Sequence, residues 1–467
     1  MNDVVARLRD TLGERVRTDE AARAAHRADS WVLAELHAFE GRPAPLPLAV
    51  VEPHDTAEVA RTLRLCRDLG LPVVPYGGGS GVCGAIEPGA GAVVLSTRRM
   101  EGLIRLDPRD LTASFRAGTL GIDAERSVRE AGLTIGHWPQ SVELSTVGGW
   151  VATRASGQLS TGYGNIEDLL LALEAVLPDG RVLRTRETPR AAAGPDLRAL
   201  LLGSEGTLGV VTEVTFSLRP LPEASRAQAL HFAGFAQGLE ALRRVLRAGW
   251  RPPVARLYDP RESRRGFREF SPRGRALLVL LHEGPTAAAE LELRAVSDLC
   301  REAGGEDTDA RAVEVWLERR NHVPSWRSFL EQGTIVDTIE VAATWSRIGR
   351  VYEEVTRSLA EVPGLLSASA HSSHSYRSGT NLYFSFAVRP GDPAGLAAAY
   401  AECWRRTLEA TLAAGGGIAH HHGIGRVRRA WLARELGEGG LGALRALKQA
   451  LDPTGLLNPG NLLPDQD

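Results

Sequence analysis

The chain has 467 residues, 43% hydrophobic and 24% charged, with a formal net charge of −2. That length allows two or three domains around a sizeable core, and the charge balance supplies no global field to recruit nucleic acid. Lys448 is the one lysine among 55 basic residues, which leaves almost no candidate for Schiff-base or P-loop chemistry.

In chain order, the first thirty residues read as a charged amphipathic helix without the apolar stretch of a secretory signal. A proline-rich passage at 41–53 leads to the helix DTAEVARTLRLCRDLG. Asp55 or Thr56 caps it, Val59, Leu63 and Cys66 share a face, and Gly70 ends it. LPVVPYGGGSG reads as a short strand entering a glycine turn, AGAVVLSTRRM and LTASFRAGTL as further strands, and 121–131 as a helix. LLLALEAVLPDGRVLRT folds back at Pro178-Asp179-Gly180 as a hairpin. GSEGTLGVVTEVTFSLRPLPE ends in prolines, which sets a boundary near 224. Helices and strands alternate over 225–410, and a helix with the turn-rich tail DPTGLLNPGNLLP fills 411–467. The expected class is α+β, with divisions at 1–224, 225–410 and 411–467. The longest apolar run, Ala276 to Leu281, is far too short to span a bilayer. Cys66, Cys83, Cys300 and Cys403 form no CxxC and read as buried free thiols. A cytoplasmic location follows as an expectation.

VVPYGGGSGVCG contains a formal GxGxxG from Gly79 to Gly84. A dinucleotide fingerprint needs a helix directly after the glycines, and AIEPGAGAVV cannot supply one. The run can still form a concave nest of backbone N–H groups suited to a diphosphate; a plain tight turn is the other reading. Two more segments, STVGGWVATRASGQLSTGYGNIEDLL and GSEGTLGVVTEV, space small residues where a flat ligand could meet the backbone.

Together these segments resemble the flavin-binding domain of the vanillyl-alcohol oxidase type family of FAD proteins, over nearly the whole chain. Their order, with PPVARLYD, the stretch around Tyr376 and HHHGIG, is similar to that of the alkyldihydroxyacetonephosphate synthases. The resemblance implies a two-subdomain FAD-binding domain, an α+β cap with an antiparallel sheet, and a C-terminal helical segment. It implies non-covalent FAD, since Cys83 lies off the pattern of the covalent members. Pro75, Tyr76, Gly77, Gly78, Gly79, Ser80 and Gly81 would hold the diphosphate. Gln140, Ser141, Val142, Glu143, Leu144, Ser145 and Thr146 would continue the cofactor site. Thr153, Arg154, Ala155 and Ser156, then Glu205, Gly206, Thr207, Leu208, Gly209, Val210 and Val211, would complete it. The implied reaction exchanges the acyl chain of acyl-dihydroxyacetone phosphate for a fatty alcohol through an adduct at flavin N5, a step of ether lipid synthesis. Tyr376 would be the acid/base, and Arg256 and Arg327 the substrate arginines, with Arg320 competing for the role of Arg327. A lipid-like or small substrate, a homodimer and peripheral contact of the N-terminal helix with a membrane are further expectations; nucleic acid is not.

His420, His421 and His422 invite a metal reading. A metal-dependent branch of the superfamily oxidises D-2-hydroxy acids and binds a cation through GHxGDGNLH and GEHG. Here His374 matches the first ligand, but Tyr383 and His421 stand where a histidine and a glutamate belong. Two ligands of four are thereby lost, so no metal is expected. On an extended strand His420 and His422 would share a face and His421 would point away. His421 or His422 is then expected to assist Tyr376, and His420 to pack or cap the loop. The alternative activity is FAD-dependent dehydrogenation of a D-2-hydroxy acid, with His422 as the base.

Overall fold

The computed structural model describes residues 2–322 and 325–464. Strands β1 (Val16–Arg17), β2 (Ala49–Val51), β3 (Val73–Tyr76) and β4 (Val93–Ser96) form a sheet of order β1-β2-β4-β3, parallel except for β1. The helix between β2 and β3 is Thr56–Asp68, capped by the Asp55 carboxylate on the Glu58 N–H. Its buried face includes Val59, Leu63 and Cys66, which pack on Val51, Val73 and Val93. The N-terminus is not one helix. It runs Asn2–Leu12, a short turn at Gly13–Arg15, the β1 strand, and a second helix Glu20–Ala25. Gly13 adopts φ 60 and ends the first helix, so Val16 can reach β2.

A second sheet is antiparallel, order β5-β6-β10-β8-β9. It comprises β5 (Leu103–Asp107), β6 (Thr112–Arg116), β8 (Leu170–Val176), β9 (Val182–Arg184) and β10 (Val210–Ser217); β7 (Leu133–Thr134) pairs apart with β11 (Arg219–Pro220). The β8–β9 hairpin turns through Asp179-Gly180, as its sequence predicts. Between β7 and β8, Thr146 caps the helix Val147–Thr153, whose Trp150 and Val151 fill the core under this sheet.

The third sheet has seven antiparallel strands in the order β15-β12-β14-β13-β17-β18-β16. They are β12 (Ala224–Phe232), β13 (Val254–Tyr258), β14 (Ala276–Gly284), β15 (Glu306–Asp307), β16 (Ile335–Thr344), β17 (Leu365–Ser372) and β18 (Gly379–Val388). Side chains alternate between its faces. Leu230, Leu278, Leu257, Phe384 and Ile339 point to one face, where helices Phe235–Arg247, Thr286–Glu302, Trp345–Ala360 and Leu396–Ala413 cover them. The last of these crosses the expected division at 410. The opposite face carries Val254, Tyr258 and Val279 against Leu159 and Tyr163 and against the helix Arg311–Arg319. Register then places Glu340 opposite Tyr383, Tyr383 opposite His371, and His371 opposite Tyr258. Three adjacent pairings thus put a polar row on the face that looks toward the glycine-rich segments.

The C-terminal helix Leu432–Leu451 carries a break at Gly437. The tail beyond it returns to the first sheet, where Val73 of β3 donates to the Leu456 carbonyl and accepts from the Asn458 N–H. Lys448 fixes this return by donating to the carbonyls of Thr207 and Leu457 and to Asp452. No helix among the described residues is long and apolar enough to cross a membrane.

Candidate active site

The turn after β3 has no helix behind it. Backbone N–H groups of Gly77, Gly78, Gly79, Ser80 and Gly81 find no acceptor among the described residues, although the loop is half-buried. Partly buried donors without partners are costly unless a ligand completes them. A Cβ built at Gly78 would overlap the Leu144 carbonyl, so the glycine lets this loop meet the 140–146 segment. A diphosphate fits such a row of donors. Cys83 beyond the loop is buried, its thiol pushed up by burial, and it lies against Arg428. A protonated, enclosed thiol is a poor point of attachment for a flavin.

The other cofactor segments divide their work. Gln140 reaches the His322 carbonyl, Ser141 accepts from Ser145, and Glu143 and Leu144 are exposed. Val142, Leu208, Val210 and Val211 are buried, so any contact these four make with a cofactor comes from their backbone. Thr153, Arg154, Ser156 and Glu205 line a cavity of about 790 Å³ that Tyr376, His420 and His421 also line. Gly206 packs on Pro75, joining the third segment to the first. Glu205 is turned inward: its carboxylate accepts from the N–H groups of Ile424 and Gly425 and from Asn461.

Tyr376 follows β17, in a turn closed by its N–H on the Gly379 carbonyl. Its hydroxyl lies 2.7 Å from His420 Nε2 and 3.0 Å from Asn165 Nδ2. Ser156 donates to Asn165 Oδ1 at 2.7 Å, which aims the amide N–H₂ at the phenol. His420 Nδ1 is 2.9 Å from His421 Nδ1. With neutral rings, two proton arrangements fit: Asn165 donates to the phenol, the phenol to His420 Nε2 and His420 Nδ1–H to His421, or every donor is reversed, with the phenol donating to Asn165 Oδ1 at 3.2 Å; the first is the one in which the phenol can pass its proton to His420. Burial pushes the Tyr376 phenol up and His420 down to about 4. Near neutral pH the imidazole is therefore an acceptor and the phenol carries a proton.

Three expectations change here. The histidines lie in a bend, not an extended strand. His421 therefore does not point away; it meets His374 and Tyr383, with ring centroids at 4.8 and 5.9 Å. His422 does not reach Tyr376. Its Nε2 is 2.9 Å from the Tyr383 hydroxyl. His420, expected only to pack, is the direct partner. The reason is the backbone: Glu340 binds the N–H groups of His420 and His422, and that anchors the bend. In this bend a Cβ at Gly425 would overlap the Cys83 carbonyl, which accounts for a glycine after the histidines.

Ring nitrogens of His374, His420 and His421 lie within 4.8 Å of one another. Such a set could hold a cation, although several of its nitrogens are already hydrogen-bonded. His374 Nδ1 meets Ser160 Oγ at 2.6 Å, and His420 uses both ring nitrogens as described.

Arg256 lies on the polar face of the sheet. It donates to Tyr258 at 3.0 Å and to His371 Nε2 at 2.9 Å, and its guanidinium is 5.4 Å from the Trp316 ring. Arg320 is 5.6 Å from the same ring and 4.8 Å from Trp138, and burial draws its pKa down to about 10. Neither guanidinium has a carboxylate within ion-pair distance among the described residues. Arg327 does: its side chain is 73% exposed and pairs with Glu331 one helical turn away. An exposed, partnered arginine is a poor buried-anion ligand; of the two candidates, Arg320 is the more buried and shares the Trp316 ring with Arg256.

The model of the FAD-linked oxidase C-terminal domain matches residues 221–462, and that of an FAD binding domain matches 47–186. The chain belongs to the FAD-linked oxidase family. It is 34% identical to the uncharacterized FAD-linked oxidoreductase YgcU of Escherichia coli, over 99% of this chain and 98% of that protein. It is 32% identical to the alkyldihydroxyacetonephosphate synthase of Trypanosoma brucei brucei, over 90% and 73%. A solved structure of an alkyldihydroxyacetonephosphate synthase superposes with a TM-score of 0.82 at 27% identity, covering 98% of this chain and 84% of that one. As an FAD-linked oxidase, the protein has the vanillyl-alcohol oxidase type fold and binds FAD. The N–H row at Gly77 to Gly81 and the cavity wall at Thr153 to Ser156 are the residues that would hold it.

The charge states set a pH dependence. His420 must be neutral to accept the phenolic proton, and its acidic pKa of about 4 means it stays neutral well below pH 6.5. The acid limb of kcat should therefore fall near pH 4, with rate lost as pH drops through it. A limb near 6.5 in a pH–rate series would contradict the buried, neutral His420.

Proposed function

We propose that the protein is an alkyldihydroxyacetonephosphate synthase-like transferase, replacing the acyl chain of acyl-dihydroxyacetone phosphate with a fatty alcohol. The observation that carries this reading is the Tyr376–His420–His421 chain opening on a cavity with a largely apolar wall, interrupted by Glu435. Leu432, Leu436, Ala443, Leu444 and Leu447 of the C-terminal helix form that wall, with Ile418 and Ala419 beside the histidines. A proton relay facing an alkyl-sized wall suits a lipid-like substrate better than a small hydroxy acid.

FAD, when bound, supplies a nucleophilic ring nitrogen and an electron sink. The protein supplies the rest. Arg256 and Arg320 would take the phosphate, two unpaired guanidiniums beside Trp316 being suited to a doubly charged anion. Tyr376 would pass its phenolic proton to His420 and accept the proton from the carbon that bears the ester. His420 Nδ1–H would shift toward His421, spreading the charge over two rings. Asn165 steadies the phenolate through its N–H₂. The reverse delivery returns the proton as the alcohol replaces the acid. On this reading residues 1–224 carry the cofactor, 225–410 the substrate anion, and 411–467 the histidines and the apolar wall. Incubation with acyl-dihydroxyacetone phosphate and hexadecanol should release fatty acid and form alkyl ether in equal amounts by mass spectrometry. Fatty acid release without ether would mean hydrolysis and would defeat the proposal.

A second reading, dehydrogenation of a D-2-hydroxy acid, is favoured by one observation: the same guanidinium pair suits a carboxylate. His420 would then take the hydroxyl proton. Under either reading activity should survive exhaustive chelation, because both nitrogens of His420 serve Tyr376 and His421 in the proposed relay. Loss on chelation with recovery on Zn²⁺ or Mn²⁺ would reverse that conclusion.

A further inference from the structure

Glu340 and Arg428 take no part in the chemistry above and do not line the cavity, yet both are fully buried and 3.0 Å apart. Burying two charges costs several kcal/mol per ion, and such pairs add little net stability. Their contacts show another use. Glu340 Oε1 accepts the His422 N–H at 2.9 Å and Oε2 accepts the His420 N–H. One carboxylate thus grips alternate residues of the triplet, and the rings of His420 and His421 both meet His374, at centroid distances of 5.1 and 4.8 Å. Arg428 reaches three segments at once. It donates to the Gly423 carbonyl at 2.5 Å, to the Glu340 carbonyl at 3.1 Å and to Cys83 Sγ, at the end of the glycine loop, at 3.4 Å. Its guanidinium also lies 5.1 Å from the Trp404 ring.

We propose that Glu340 and Arg428 are positioning residues: the pair fixes the direction of His420 toward Tyr376 and ties the histidine bend to the cofactor loop at Cys83. The inference rests on the reading in which Tyr376 and His420 move the proton. Groups facing Glu340 are His420, His421, His422 and Arg428, with Tyr383 opposite it on β18; Asp337, three residues back on β16, lies on the other face against Tyr400 and Trp404 and acts on Arg428. Of these, Arg428 carries the charge that compensates Glu340, so the double removal leaves neither member of the pair as an ion without its partner, while Asp337 and Glu205 lose a more distant cation.

The experiment uses the FAD-loaded full chain and the variants Glu340→Gln, Arg428→Lys and Glu340→Gln/Arg428→Met. Three quantities are read: melting temperature, kcat and KM, and the tautomer of His420 by long-range ¹H–¹⁵N NMR without substrate. Glu340→Gln should lower kcat by about 10–100-fold with KM within about threefold, as expected when a proton relay is misaligned rather than removed. The His420 signals should change from one tautomer to a mixture. The double variant should regain melting temperature but not kcat or the single tautomer. Recovery of kcat together with melting temperature in the double variant would reduce the pair to a structural role and overturn the proposal, as would an unchanged His420 tautomer in Glu340→Gln. If Glu340→Gln does not fold, the double variant and Arg428→Lys decide by the same readings. Because the tautomer is read without substrate, failure of the transferase reading leaves this test standing, and a wild-type protein inactive on both substrate classes would count only against that reading.

Discussion

Replacing Tyr376 with Phe should lower turnover by about 10²–10⁴, while FAD content and melting temperature stay at wild-type values. The substitution removes one hydroxyl and keeps the ring, so the contact with His420, at a centroid distance of 5.6 Å, survives. What is lost is the one oxygen that joins Asn165 to His420. A positioned acid/base is worth roughly 3–5 kcal/mol of barrier, and no other hydroxyl bonds His420 Nε2. His420→Ala should cost a similar factor. The double variant should lose little beyond either single one, because the two groups act as a unit. His422→Ala, by contrast, should leave most of the rate, since its ring serves Tyr383. Multiplicative losses for Tyr376 and His420, or a collapse in His422→Ala with normal His420→Ala, would show that the proton takes another path. Steady-state kinetics on the wild type and the four variants at one pH is sufficient.

Gly78→Ala should weaken FAD binding by about 10–100-fold, equivalent to the 1–3 kcal/mol typical of forcing a methyl into a filled space. The added Cβ would overlap the Leu144 carbonyl. Backbone on both sides leaves no flexible side chain to give way, so the loop must move away from the 140–146 segment. That motion disperses the N–H groups of Gly77 to Gly81, which would hold the diphosphate on the reading proposed above. Gly89→Ala is the control: it lies in the same glycine-rich stretch, and nothing is within 4 Å of its added Cβ. Flavin titration should separate the two variants clearly. Equal affinities would remove the loop from the cofactor site. Acid precipitation of the wild type should release FAD into solution, because Cys83 is buried and protonated.

Much of this site was legible because close approach of backbone leaves a mark in sequence. The loop at Gly77 to Gly81 and the segments at Thr146 and Glu205 carry small residues where chains touch. The Asp55 cap and the Asp179-Gly180 hairpin were legible because their signals are local. The histidine bend was not. Its shape is set by Glu340 and Glu205, far away in the chain, so no pattern within HHHGIG says which ring faces Tyr376. One signal was available: Asp337 and Glu340 are charged residues in the otherwise β-forming IVDTIEVAAT, and charge inside a buried strand asks for a partner. Arg320 against Arg327 was undecidable for a similar reason. Both flank a loop, and only the placement of Trp138 and Trp316 separates a half-buried guanidinium from an exposed one. The N-terminal reading failed at Gly13, where an amphipathic pattern continued through a residue that ends the helix.

The central claim is that this FAD-linked oxidase fold houses a redox-neutral exchange. The measurement that tests it most directly is the absorbance of the oxidised flavin band during anaerobic mixing. With acyl-dihydroxyacetone phosphate and hexadecanol, alkyl ether should accumulate over many turnovers and the oxidised band should be intact at the end. With a panel of D-2-hydroxy acids the band should remain. Bleaching by a hydroxy acid, with no alkyl ether from the lipid substrates, would contradict the account and establish a dehydrogenase.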